Sequence, residues 1–200
     1  MLLSARDHAS MNCMTNRPIW ILIPLALAIL PFSTPLRTGA LAGAGPDVIN
    51  TVWAMWWFQQ EWTSSGWGGN STLFNFPFGG SGAILSPINA LIWSILDVFV
   101  GAAWASTLGA IICVYGTMFL IMAIGRIKGW TSLVMGCTLS AFLCSRYFLF
   151  TLGETGVVGV AIWPLLVAWY ASLKFKQIPQ WRWIALILVS IALQGLENPY

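Results

Sequence analysis

Charge is what this sequence lacks most. Only 8% of its 200 residues are Asp, Glu, Lys or Arg, against roughly 25% in an ordinary soluble domain. So little charge cannot cover a water-facing surface. With 58% hydrophobic residues and a mean hydropathy of +0.78, lipid is the main solvent this composition suits. Histidine is nearly missing: His8, in the polar N-terminal tail, is the single one, which removes histidine-based catalysis and histidine metal centres from consideration. Cysteine is sparse. Cys13, Cys113, Cys137 and Cys144 include no pair at zinc-ligand spacing and read as small packing residues without a disulfide framework. P-loop, GxGxxG, HExxH and Ser/His/Asp patterns are absent, which argues against nucleotide chemistry in this chain. The formal charge of +3 is spread over the ends of apolar runs and makes no nucleic-acid footprint.

What is abundant is tryptophan, at 13 residues. Its ring buries and its N–H stays wet, so it favours the boundary between hydrocarbon and headgroups. The chain divides by composition. Residues 1–17 are a short polar tail. Residues 18–36, "PIWILIPLALAILPFSTPL", form a first span. Residues 37–101 are an outer loop rich in Gly, Pro, Asn and Ser, and residues 102–200 carry further apolar runs at about 102–125, 129–150, 156–173 and 182–197. Small residues near Ala42 and Ala44 would suit signal-peptide cleavage, but the long tail and an apolar stretch running past Pro31 favour an uncleaved anchor. There is no internal repeat and no low-complexity tract.

Two helices flank the loop segment Ser64–Gly82. Over Asp47–Trp62, Asp47, Asn50, Thr51, Ala54 and Glu61 make one polar or small stripe, with Val48, Val52, Met55, Trp56 and Trp62 on the other side. This is the pattern of a helix lying in the interface plane. Over Ala83–Val98, Ser86, Ala90, Ser94 and Asp97 share a face. The positive-inside rule sets the topology. Arg6 and Arg17, then Arg126 and Lys128, then Lys174, Lys176 and Arg182 form three basic groups. All fall on one side only if Ala83–Val98 lies in the interface or re-enters. The expected fold is therefore all-α: a polytopic membrane bundle of about five transmembrane helices, with membrane-parallel helices in the first outer loop. The N-terminus is expected to be cytoplasmic, in what is best taken as a bacterial inner membrane.

The acids were not used to build that arrangement, yet Asp47, Glu61, Asp97, Glu154 and Glu197 all fall on its outer side or boundary, leaving only Asp7. Asp47 follows Gly45-Pro46 at a helix N-cap position, where capping and general-base catalysis are compatible roles for one carboxylate. Glu154, close to Gly153 and Gly156, sits in the second outer loop. Two carboxylates with phosphate oxygens would suit Mg or Mn. Arg146, in "CSRYFLF", either snorkels to the interface or pairs with an acid or a phosphate. The tryptophans of the first loop, Trp53 among them, anchor the membrane and also offer faces on which sugar rings stack. Asp97 and Glu197 read as interfacial or helix-end acids.

A first span, then a long outer loop carrying an acid ("GPDVINTVWAMWW"), then "NFPFGGSGAILSPINALIW", then a second outer loop with "LGETG", resembles the GT-C superfamily of polytopic glycosyltransferases. The resemblance covers most of residues 18–200 and rests on topology more than on letters. It implies transfer of a sugar from a lipid-phosphate donor to an acceptor at the outer face. Asp47 would be the catalytic carboxylate, Glu154 would hold a divalent cation or the donor phosphate, and Arg146, Asn50 and Trp53 would bind substrate. Membrane lipid and a lipid-linked sugar donor would be its partners. Superfamily members usually have more spans, and Asn198-Pro199-Tyr200 reads like mid-protein sequence, so the chain is expected to be the N-terminal portion of a longer enzyme. The alternative is a non-catalytic membrane subunit or a transporter component, in which the same acids cap helices and the aromatics only anchor.

Overall fold

The computed structural model describes residues 17–39, 56, 59, 70–71, 80–81, 87–145, 148 and 162–197. These residues are helical apart from one short antiparallel ladder in the first loop, β1 (Asn70–Ser71) with β2 (Gly80–Ser81), which pairs Asn70 with Ser81. Two described stretches are long and apolar enough to cross a membrane, Ile19–Thr38 and Ala102–Ile127. At 1.5 Å per residue they measure roughly 30 and 39 Å, against a hydrocarbon core of about 30 Å.

The first stretch is not one continuous helix. It forms α1 (Ile19–Leu27), a 3-10 turn at Leu30–Phe32 and α2 (Ser33–Thr38), which ends at Gly39 with a left-handed φ of 66°. Proline explains the break. Pro24 has no N–H to give the Trp20 carbonyl, and Pro31 removes a further donor. Near the break, the Ile29 N–H bonds to the Ala26 carbonyl at 3.5 Å rather than to Leu25. The Leu25 carbonyl instead accepts the Tyr115 hydroxyl at 2.8 Å.

α3 (Pro87–Val100) reaches the corner at Gly101, whose φ of 80° lets the chain turn directly into α4 (Ala102–Ile127). α3 packs on α4 with Ala90 and Trp93 buried. The expected small face is present: the Ser94 hydroxyl donates to the Ala90 carbonyl at 2.8 Å, and Asp97 is half-buried. That face turns toward the protein, while Leu91, Ile95, Val98 and Phe99 are exposed. A water-soluble helix does the reverse. Outward-facing apolar side chains suit lipid.

After α4 a tight turn through Gly129 leads into α5 (Ser132–Leu143). Thr131 caps this helix by accepting the Val134 N–H at 3.4 Å. α6 (Trp163–Gln177) and α7 (Trp181–Glu197) pack as a pair across a three-residue turn. Near that turn Tyr170 meets Trp183 edge-on at 6.3 Å, Lys174 lies over the Tyr170 ring and Arg182 over the Trp183 ring. Aromatic and basic groups together are what a membrane boundary favours. α5, α6 and α7 are 12, 15 and 17 residues long.

Contacts set the direction of the first three long elements. Leu25 meets Tyr115, and Gly39 lies against the Trp104 ring, so the first stretch and α4 are antiparallel. Trp20 lies against Gly136, and Pro24 and Ser140 line the same space, so α1 and α5 are parallel. Arg17, Arg126 and Lys128 therefore come to one end of the bundle, as the positive-inside argument expects, with Gly39 and Gly101 at the other. The core between them is apolar: Phe32, Ala90, Trp93, Ala110, Val114, Met118 and Leu139 cluster there, joined by Phe148.

Gly136 is where α1 and α5 come closest. A Cβ there would run into the Trp20 carbonyl, 2.7 Å from its carbon. Gly136→Val is expected to cost about 1–3 kcal/mol through overpacking. Tyr115→Phe, which deletes only the hydroxyl, is expected to cost about 0.5–1.5 kcal/mol. Thermal unfolding of the detergent-solubilised protein checks both, and a Gly136→Val variant as stable as wild type would contradict this packing.

Candidate functional site

The elements that carry the expected chemistry lead toward the end of the bundle opposite Arg17. Gly39, which closes α2 eight residues before Asp47, packs against Trp104 in the first turn of α4. Asp97 lies one helical turn before the Gly101 corner, and its backbone carbonyl accepts the Gly101 N–H at 3.0 Å. α5 runs parallel to α1 and ends beside the 3-10 turn, where Leu30, Pro31 and Cys144 line one hollow.

The backbone on both sides of residue 146 is tied down. The Ser145 hydroxyl donates to the Phe142 carbonyl at 2.8 Å and accepts the Phe148 N–H at 3.1 Å. Phe148 is fully buried, with its ring centroid 5.0 Å from that of Phe142. This local hydrogen-bonded turn follows from a serine at a helix end, where its hydroxyl competes for backbone partners.

Asp47, Asn50, Trp53, Arg146 and Glu154 themselves lie outside the described residues, as does Glu61. Of the expected interfacial helix Asp47–Trp62, Trp56 and Gln59 are described; both are helical, and Trp56 is exposed. The expected convergence of Asp47 with Glu154 is thus not among the contacts described. Among the described residues, no three His, Cys, Asp or Glu side chains come together. A divalent cation would have to be held by the loop acids, whose hard oxygen donors suit Mg or Mn. Among the described cysteines, Cys113 is buried in α4 as a packing residue would be, whereas Cys137 and Cys144 are exposed.

A feature the sequence reading did not anticipate is a groove between α1 and α5. It comprises two hollows of about 380 and 280 Å³ that share Pro24 and Ser140. The first is bounded by Trp20, Ile23, Leu133, Gly136 and Cys137, and the second by Leu27, Leu30, Pro31, Leu143, Cys144 and Phe148. The available signal was the small-residue series Gly136, Ser140, Cys144 at intervals of four. Such a series lets helices approach closely in a membrane. Its partner was Pro24 and Pro31, two of the four prolines in the first span.

The chain matches no protein-family model, no curated protein and no solved structure.

The antiparallel packing of the first stretch on α4 generates a labelling test. In a cysteine-free background, Lys128→Cys and Ala102→Cys are expected to react with a membrane-impermeant maleimide from opposite faces of sealed vesicles. Labelling of both from the same face would contradict a membrane-crossing α4.

Proposed function

We propose that this chain is a polytopic membrane protein of about five spans that acts as a GT-C type glycosyltransferase, moving a sugar from a lipid-phosphate donor to an acceptor at the outer face of a bacterial inner membrane. The observation that carries this reading is the separation of charge. Of the described basic residues, Arg17, Arg126 and Lys128 share one end of the bundle, while Arg37 stands beside Gly39 toward the other. Asp97 lies toward the other end, and in sequence Asp47 follows Gly39 by eight residues. Acidic residues contribute little to membrane orientation, so their one-sided placement calls for a chemical reason.

The chemistry follows from the donor. Its sugar is bonded to a phosphate on a lipid tail, so the reaction has to be met at the bilayer surface. Asp47 takes the proton of the acceptor hydroxyl as that oxygen attacks the anomeric carbon, and the lipid phosphate leaves with the electrons of the broken C–O bond. Arg146 neutralises that phosphate through charge-assisted hydrogen bonds. Glu154 would hold a divalent cation, if one binds, and such a cation would supply further positive charge at the same phosphate. Asn50 and Trp53, three and six residues after Asp47, hold the substrate by hydrogen bonding and ring stacking.

Reconstitution of the full-length protein with a polyprenyl-phosphate sugar tests this. Asp47→Asn keeps the size and capping ability of the side chain but removes the base, and is expected to lower sugar transfer about 10²–10⁴-fold. Unchanged transfer would remove Asp47 from catalysis. Absence of any turnover in the wild-type protein would favour the accessory-subunit reading.

A further inference from the structure

We infer that the groove between α1 and α5 is a binding site for one acyl chain of an anionic phospholipid, whose phosphate sits at the Arg17–Lys128 end. This inference rests on the membrane part of the reading above and is independent of sugar transfer.

Three observations point to this occupant. The first is the lining. The groove wall is almost entirely apolar, and Ser140 is the polar side chain within it. The second is length. From Trp20 to Pro31 the groove follows 11 residue steps of the first stretch, roughly 16 Å at 1.5 Å per residue. That is about half of a 30 Å hydrocarbon core, the depth of a single leaflet. A groove that stops at mid-membrane suits a chain entering from one surface, whereas a second transmembrane helix would need the full thickness.

The third observation is charge. Trp20 opens the groove one turn after Arg17, and Leu133 opens it just after the Lys128–Thr131 turn. Arg17, Arg126 and Lys128 are all exposed at that end. Among the described residues no carboxylate is placed there, and Asp97 lies toward the opposite end. Three cations at the headgroup level and an apolar slot one leaflet deep match an anionic phosphate joined to a hydrocarbon chain.

Gly136 and the interruption after Leu27 explain why the slot exists. Gly136 lets the two backbones touch beside Trp20. Farther along, the interrupted helix and the small side chains of Ser140 and Cys144 leave the hollows unfilled.

The test uses the full chain in nanodiscs of equal phosphatidylglycerol and phosphatidylcholine, extracted into detergent, with retained lipid counted by native mass spectrometry. The expected result is one phosphatidylglycerol held in preference to phosphatidylcholine. Lys128→Gln is expected to weaken its retention about fivefold. Ser140→Trp, which fills the groove and leaves the cations in place, is expected to abolish it. Equal retention of the two lipids would overturn the inference, and so would a Ser140→Trp protein that keeps its phosphatidylglycerol. Two copies associating through this face, with loss of the dimer in Ser140→Trp, would also overturn it. A wild-type chain that fails to enter nanodiscs would sink the membrane reading itself, whereas an absence of sugar transfer leaves the lipid site untouched.

Discussion

A backbone carbonyl deprived of its usual donor has to find another partner, and in this chain that requirement ties the first helical stretch to the elements behind it. Pro24 cannot serve Trp20, and the altered turn at Ile29 releases Leu25. The Tyr115 hydroxyl of α4 takes the Leu25 carbonyl, and Gly136 of α5 packs closely against the backbone at Trp20. In water such groups would be hydrated at little cost. In an apolar surrounding each would cost several kcal/mol if left alone. The break in the first stretch thus leaves the Leu25 carbonyl to be satisfied by α4, which ties those two elements together.

The outward faces follow the same logic. α3 turns Ala90, Ser94 and Asp97 inward and leaves Leu91, Ile95, Val98 and Phe99 exposed, and α7 exposes Leu188, Val189 and Ile191. Small residues inside let helices pack closely, and large apolar residues outside meet a solvent that rewards them. At the α6–α7 turn, Tyr170 and Trp183 lie under Lys174 and Arg182, a combination that a membrane boundary favours.

The two ends of the bundle are thus chemically unlike. One gathers Arg17, Arg126 and Lys128 at the mouth of an apolar groove. The other gives rise to the loop that carries Asp47, and α5 leads toward it before the chain reaches Arg146. An enzyme acting on a lipid phosphate needs fixed carboxylates at one surface and a scaffold that holds them at constant depth. The broken first helix packs against α4 and α5, with Gly39 beside Trp104.

Hydropathy and charge along the sequence determined the helical character and the approximate placement of the long apolar elements. The run expected at 102–125 became α4 at Ala102–Ile127, and the basic hinge after it was recognisable from its charges. These features depend on the hydropathy and charge of neighbouring residues, which a linear reading captures. The same reading gave α3 its small face but not its direction, and treated the first span as unbroken. It proposed Asp47, Asn50, Trp53, Arg146 and Glu154 from residue type and loop position. It did not foresee the α1–α5 groove or the bond from Tyr115 to Leu25, 90 residues apart. Those belong to tertiary structure, because which hydroxyl takes a displaced carbonyl, and which glycine lets two backbones meet, is decided only when distant segments compete for the same space.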